Sequence, residues 1–345
     1  MRAIRALFTL VLVIGTVPAL SPAASSTKLD VEIGWNGSYR YMHWSPVFIT
    51  AADFKPRNVI LQLYVPHDSM QSMKIDQLVT IGPTPTTFVL YAPLGPRLEE
   101  MSVTLLDPGS FRRLADWVND PSYGTAPRVL NEAINQLIGI SGRPGNHGLL
   151  EAQFKSRIAK AESIDPVRLP AVARGYDSFN ALVLDQPDLT RISLDQQQAI
   201  VDWVRGGGHL VCWMGEEQLP PASPLMNVLP ATVGDNTSVT VSPAALKSAG
   251  LPPRFGNLKG RLLTPIEGAT PVDMFGGEIK AYRRDLGLGT ILLLPVDCSS
   301  LLFENETKPT LFWTPLLAGA VDLTVEDKEG QQNYINYGNN DPMQW

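Results

Sequence analysis

The sequence predicts two domains of different class, an N-terminal β-sandwich followed by an α/β domain with a doubly wound, mostly parallel sheet that has helices on both faces. The length of 345 residues exceeds what one ordinary core needs. Residues 28–107 contain short runs rich in β-branched and aromatic residues, separated by Gly, Pro and Asn, which is typical of antiparallel sheets. Residues 176–215 have the pattern of a strand, a helix and a strand, a unit that is almost always right-handed and parallel.

Boundary signals define each part of this strand–helix–strand unit. Residues 181–184 form a continuous apolar run, as expected for a strand that is covered on both faces. Ser193 and Gln196 have the spacing of a capping box, and the consecutive glycines 206–208 end the helix that begins there. Residues 209–213 then return as a second apolar strand. The unit therefore forms half of the predicted α/β domain.

The N-terminus has the three-part pattern of a secretory signal peptide, predicted over residues 1–25. Arg2 and Arg5 precede the apolar run 6–17, and small residues follow at 19–26. We expect cleavage between about residues 21 and 26, and therefore a mature protein in the periplasm or cell envelope. No second stretch is long enough to span a bilayer, so we expect no transmembrane segment in the mature chain.

The charge balance limits the kinds of partner. Loss of Arg2 and Arg5 would change the formal net charge from −6 to −8. A chain of this sign is a poor match for nucleic acid or an anionic membrane surface. The sequence predicts no cofactor, and it leaves an envelope protein or a glycan as the expected partner.

The predicted sandwich occupies residues 28–107, and its aromatic residues are a candidate binding surface. The segment WNGSYRYMHWSPVFIT resembles the opening of immunoglobulin-like accessory domains in exported bacterial proteins. Four of its side chains could stack against a sugar ring or a peptide, or could instead pack in the core and turns of the sandwich. They are Trp35, Tyr39, Tyr41 and Trp44. The predicted strands cover 31–35, 47–51, 59–65, 77–81, 87–92 and 101–106.

The α/β domain is predicted over residues 128–323, after a linker at 108–127 that holds a short helix near 111–118. An insertion is expected around 216–280, and a polar tail at 324–345. Within the domain we predict a first strand at 135–141, a helix at 149–160, a hairpin-like approach and apolar strand at 282–296, and a closing helix at 309–322. The glycines 142, 145 and 148 match neither common nucleotide-binding spacing and are interpreted as a sharp turn.

The strand–helix–strand unit, together with the glycine-rich turn, the apolar strand and Asp297 that follow later, resembles the class I glutamine amidotransferase-like, flavodoxin-like domains of exported bacterial proteins. That family uses a cysteine on a G-x-C-x-G elbow, a histidine and an acid. Here the elbow position has the sequence VCWMG around Cys212, and no histidine follows Cys212 in the chain. The resemblance therefore implies a domain without the catalytic triad, with Cys212 as a small buried hydrophobic residue.

Five acidic residues follow predicted strands and are the remaining candidate ligand-binding residues. We expect them at the carboxyl edge of the sheet, where oxygen ligands would suit Mg²⁺ or Ca²⁺. Acidic residues in such positions also cap helices and form turns, and no spacing here is diagnostic of a metal site. They are Asp185, Asp188, Glu216, Glu217 and Asp297.

These observations predict an exported, non-catalytic binding or scaffolding protein of the cell envelope. Two alternatives stay open: a metal-dependent hydrolase that uses the acidic residues, and a glycan-binding module that uses the sandwich aromatics. The only two cysteines, Cys212 and Cys298, end adjacent strands in the expected sheet order, so we predict that they lie close together, with a disulfide limited by geometry.

Overall fold

A computed structural model describes residues 27–119, 132–133, 136–142, 159–187, 189–215, 220, 223–251, 257–297 and 309–321. The predicted signal peptide and the polar tail lie outside these ranges. No helix within the described ranges is long and apolar enough to cross a membrane.

The N-terminal domain is a sandwich of two antiparallel sheets. One sheet has the order β1-β3-β6 and the other the order β5-β4-β7-β8. Alternate apolar side chains of both sheets, such as Ile49 and Leu61, face one shared core. The strands are β1 (Lys28–Ile33), β2 (Ser38–Tyr39), β3 (Trp44–Ala52), β4 (Arg57–Pro66), β5 (Ser72–Ile81), β6 (Thr86–Pro93), β7 (Ser102–Leu106) and β8 (Arg113–Val118).

The helix predicted near 111–118 is wrong, because β8 is a strand. It pairs antiparallel with β7, and Trp117 lies opposite Val103. Trp117 packs partly against the sandwich core, so pairing with an existing sheet edge decides the conformation of this segment. The sandwich therefore continues beyond residue 107 into what was predicted as linker, and the second half of that linker lies outside the described residues.

The second part of the chain is built on a seven-stranded mixed sheet, so the architecture is α/β plus β. The sheet order is β11-β10-β12-β13-β18-β17-β16, with the first five strands parallel and the last two antiparallel. The strands are β9 (Glu132–Ala133), β10 (Gln136–Gly142), β11 (Ala159–Ile164), β12 (Ala181–Asp185), β13 (His209–Trp213), β14 (Ala231–Thr240), β15 (Asn257–Pro265), β16 (Thr270–Met274), β17 (Ile279–Leu286) and β18 (Gly289–Leu294). The described helices are α1 (Leu194–Arg205), α2 (Pro243–Ser248) and α3 (Pro309–Leu317).

The predicted strand–helix–strand unit is confirmed as β12, α1 and β13. Ser193 Oγ accepts a hydrogen bond from the Gln196 backbone N–H at 3.2 Å, and Gln196 Oε1 accepts one from the Ser193 N–H at 2.8 Å. After α1 the chain turns at Gly207, whose φ of 118° favours glycine. The capping box and the glycines thus bound the helix as predicted.

Two other predictions need correction. The helix predicted over 149–160 does not include its last two residues, which begin strand β11, and residues 149–158 lie outside the described ranges. The insertion contains the two-stranded antiparallel sheet β14–β15 and helix α2. It ends before residue 280, because β16 already belongs to the main sheet as an antiparallel edge strand.

Side chains cover both faces of the main sheet. Helix α3 and helix α2 pack on one face, against residues that include Ile138, Val183 and Val211. Helix α1 packs on the other face, and the apolar cluster there also contains Trp35 and Phe48 of the sandwich. The sandwich therefore contributes directly to one of the two cores of the α/β part.

Candidate functional site

Asp185 is the predicted carboxyl-edge acid that the structure places most clearly. It ends β12, is 1% exposed, and its Oδ1 accepts a hydrogen bond from Trp213 Nε1 at 2.6 Å. The neighbouring strand β10 ends at Gly142, where there is no room for a side chain. A Cβ at this position would lie 1.7 Å from the Asp185 carbonyl oxygen. Asp185 therefore has a structural bond within the sheet edge, on the face covered by α3.

The other predicted acidic residues are not brought into a described cluster. Asp297 follows β18, is half-buried, and its backbone N–H donates to the Lys259 carbonyl at 2.8 Å. Asp188, Glu216 and Glu217 lie outside the described residues. Within the described ranges, no group of three or more His, Cys, Asp or Glu side chains could hold a metal ion.

Cys212 lies within strand β13 instead of on a turn. It is fully buried, and it pairs in register with Leu184 and Leu293. Burial raises the pKa of its thiol far above the usual value, and the charge of Asp185 raises it further. A thiol in this environment stays protonated and inaccessible. The predicted neighbourhood of β13 and β18 is confirmed, while Cys298 lies outside the described residues and its contact with Cys212 stays a prediction.

His209 begins the same strand at the opposite, amino edge of the sheet. Its Nε2 donates to the Leu316 carbonyl at 2.8 Å, so Nδ1 of the neutral ring accepts from Thr290 Oγ1 at 2.5 Å. Burial lowers its pKa, the Leu316 bond opposes that effect, and the charge of Arg283 adds to the lowering. The imidazole therefore ties β13, β18 and α3 together and lies on the other face of β13 from Cys212.

Two of the four sandwich aromatics are interior residues. Trp35 is 2% exposed and Tyr39 is 6% exposed, so neither offers a face for stacking against a ligand. Trp44 is half-buried, with the Arg174 guanidinium 5.4 Å from its ring centroid, and Tyr41 is 40% exposed. Of these four aromatics, Trp35 therefore packs between the two domains, Tyr39 packs in the core of the sandwich, and Tyr41 and Trp44 keep exposed surface.

Trp35 is the centre of the seam between the sandwich and the α/β part. Its Nε1 donates to Ser178 Oγ at 3.0 Å in a buried hydrogen bond. Its ring lies 4.9 Å from the ring of Phe179 and 5.8 Å from that of Phe48, centroid to centroid. One side chain therefore joins apolar packing to a polar bond across the seam.

A polar network lies beside this tryptophan. Ser38 Oγ of the sandwich donates to Glu162 Oε1 at 2.6 Å, and Lys160 Nζ lies 3.0 Å from the same carboxylate oxygen. Asn36 Nδ2 donates to Glu162 Oε2 and to the Ser163 carbonyl, both at 3.1 Å. Because Glu162 is buried and has several partners, the network fixes the sandwich against strand β11.

Among the described residues, two open spaces lie along the seam. The first, which we call the seam cleft, has a volume of about 500 Å³ and lies at the amino ends of β12, β13 and β18. Side chains of both domains line it, including Arg40, His43, Asp177, Trp203 and Arg283. Asp177 Oδ2 accepts from the Trp44 backbone N–H at 2.9 Å and lies 3.2 Å from His43 Nδ1.

The second space, which we call the seam groove, has a volume of about 630 Å³. The outer face of the β1-β3-β6 sheet forms one wall, with Glu32, Val89 and Tyr91, and the segment around Arg168 forms the other. Arg168 pairs with Glu32 at 2.9 Å across the seam, and burial raises the pKa of Tyr91 to about 12. The groove is therefore a mixed apolar and charged surface that both domains build.

Sequence reasoning missed these two spaces because their residues are far apart in the chain. Arg40 lies within an aromatic turn whose sequence indicates only stacking or packing, and no motif surrounds Asp177 or Arg283. The predicted carboxyl-edge site instead has only Asp185 and Asp297 within the described residues.

Comparisons with known proteins add no assignment. No family model matches the chain, and no curated protein matches it. An exo-β-1,4-mannosidase from Opitutaceae bacterium strain TAV5 is similar in structure, with 13% sequence identity and a TM-score of 0.34. The match covers 48% of this chain and 32% of that chain, and a similarity of this size assigns neither fold nor function.

Proposed function

We propose that this protein is an exported, non-catalytic binding or scaffolding protein of the cell envelope that recognises its partner at the seam between its two domains. One observation carries the proposal: both domains line the seam cleft and the seam groove, while buried contacts such as Trp35 to Ser178 hold the walls in place. Spaces built from two domains on a fixed frame are common sites of recognition.

The burial of Cys212 supports a role without amidotransferase catalysis. A nucleophilic thiolate needs access and a lowered pKa, whereas Cys212 is enclosed and its pKa is raised. The proposal therefore includes a doubly wound, amidotransferase-like domain that lacks the triad, an immunoglobulin-like sandwich before it, and a signal peptide that directs export.

Affinity capture from the native envelope tests the proposal with a matched pair of variants. Val89, 38% exposed, lines the seam groove, and Leu78, 65% exposed, lies on β5 of the same sandwich and does not line either space. A partner held at the groove is lost by Val89→Glu and retained by Leu78→Glu, because only the first places a charge in the recognition surface. Equal capture by both variants, or ammonia release from glutamine that disappears in Cys212→Ser, would contradict the proposal.

The two alternative functions remain hypotheses without added support. Asp185 is 1% exposed and its Oδ1 accepts a hydrogen bond from Trp213, which restricts its access to the metal ion that a metal-dependent hydrolase would need. Trp35 and Tyr39 are buried, which leaves Tyr41 and Trp44 for a glycan-binding module. Retention on polysaccharide that is lost in Trp44→Ala would favour the glycan-binding function.

A further inference from the structure

We propose that the seam cleft binds a small zwitterion, a free α-amino acid or a short peptide, with its carboxylate on Arg40 and its ammonium on Asp177. The inference deepens the proposed binding function and rests on it. Its basis is a pair of opposite charges that face one cleft without being bonded to each other.

Arg40 supplies the positive half of this pair. Its side chain is half-buried, and burial lowers the pKa of its guanidinium while the charge of Asp177 acts in the opposite direction. Within the described part of the chain, the guanidinium makes no hydrogen bond and no ion pair. Arg40 therefore lines the cleft without a bond to another side chain, and its planar set of N–H donors can bind a carboxylate through two parallel bonds.

Asp177 supplies the negative half. Its Oδ2 accepts from the Trp44 N–H and contacts His43 Nδ1, which holds the carboxylate in one orientation. Its Oδ1 has no hydrogen-bond donor among the described residues. An ammonium group that enters the cleft can therefore donate to Oδ1 without displacing an existing bond.

The field of the whole cleft favours a zwitterion over a simple anion. Arg40 and Asp177 carry opposite charges, and Arg283 pairs with Asp285 at 3.5 Å, so the charged side chains give the cleft no large excess of positive charge. The last turns of α1 and α3 also lie at the cleft, but their carbonyls are bonded within the protein, because the Arg205 carbonyl accepts from the Leu288 N–H at 2.9 Å and the Leu316 carbonyl from His209.

The size and lining of the cleft agree with such a ligand. A volume of about 500 Å³ lies within the range of small-molecule sites and exceeds what one small amino acid fills. Leu288, which is highly exposed, and the edge of Trp203 add apolar surface for a side chain or a second residue. Most of the lining is polar, so the charged groups of the ligand, and not its side chain, are expected to decide binding.

The test uses the full chain and a panel of free α-amino acids and dipeptides at millimolar concentration, in thermal unfolding followed by calorimetric titration of any hit. We expect at least one free compound to raise the unfolding midpoint. Its N-acetyl and C-terminal amide forms should bind at least about tenfold more weakly, because each lacks one charge of the zwitterion.

Variants identify the site. Arg40→Gln and Asp177→Asn should each weaken binding at least about tenfold. Arg113→Gln, which changes an exposed arginine on β8, should bind like the wild type. Arg40→Gln removes no described hydrogen bond or ion pair, so its midpoint without ligand should stay close to that of the wild type, which separates lost binding from lost folding.

Three results would overturn the inference: no free compound in the panel shifts the midpoint, the blocked forms bind equally well, or Arg40→Gln binds like the wild type. Partner capture that still depends on Val89 would then leave the proposed function intact. If partner capture does not depend on Val89 but the zwitterion still binds, the result would instead contradict the scaffolding function and support the ligand site.

Discussion

Replacement of Trp35 by alanine tests whether the sandwich and the α/β part form one cooperative unit. Trp35 is almost fully buried, packs against Phe48 and Phe179, and donates to Ser178. Removal of a buried tryptophan side chain costs about 3–5 kcal/mol, mainly through the cavity that it leaves. We expect the free energy of unfolding of Trp35→Ala to fall by that amount, and the seam to open before the rest of the chain unfolds.

A second pair of substitutions separates the polar bond from the packing. Trp35→Phe retains ring contacts but leaves Ser178 Oγ buried without its donor, which costs about 1–3 kcal/mol. The double variant with Trp35→Phe and Ser178→Ala lacks the hydroxyl that Trp35→Phe leaves unpaired. It should therefore be more stable than Trp35→Phe alone. Urea unfolding followed by far-ultraviolet circular dichroism measures these differences, with the exposed Leu78→Ala as a control within about 0.5 kcal/mol of the wild type. A loss below about 1 kcal/mol for Trp35→Ala, or no gain from Ser178→Ala, would refute the reasoning.

Four further measurements address other features. In a Cys298→Ser variant, Cys212 should react with Ellman's reagent only after unfolding, because burial protects the thiol; rapid labelling of the native protein would contradict this. Burial lowers the pKa of His209 in the folded protein, so the histidine is protonated in the unfolded chain first as the pH falls below about 6.5. The unfolding midpoint should therefore drop between pH 7 and pH 5, and the drop should be smaller in His209→Gln. Millimolar Mg²⁺ or Ca²⁺ should leave the midpoint unchanged because Asp185 is held by Trp213, whereas a clear rise would favour the metal-dependent hydrolase. Intact-mass analysis of protein from its host should place the N-terminus between about residues 21 and 26, and a retained Met1 would exclude cleavage.

Local signals in the sequence predicted local structure well. The capping box of Ser193 and Gln196 and the glycines after α1 set the bounds of that helix, because each signal acts within a few residues of the chain. The apolar runs that became β12 and β13 could be predicted for the same reason, since a strand buried on both faces needs no alternation.

Contacts between residues far apart in the chain determine the features of the fold and of the site that the sequence did not predict. Strand β8 forms because β7 offers an unpaired edge, which outweighs the local preference of that segment. Trp35 was a candidate for ligand stacking, yet its partner Ser178 lies 143 positions away and turns it into a seam residue. Arg40 and Asp177 come together through the same docking, so no spacing along the chain could have indicated the seam cleft.

The contacts of Asn36 and Glu162 have a consequence for how the chain can be divided. Strand β11 is the outermost parallel strand of the seven-stranded sheet, and an uncovered edge of this kind recruits other chains and aggregates. The sandwich blocks that edge, because Asn36 donates to the Ser163 carbonyl on β11 and Ser38 binds Glu162. The opposite edge strand, β16, is only five residues long and carries Pro271, which cannot donate a hydrogen bond to an incoming strand. The sandwich thus shields this edge from other chains. A fragment that begins after it is expected to aggregate, because it loses that cover and also the Trp35 and Phe48 side chains that complete one of its two cores.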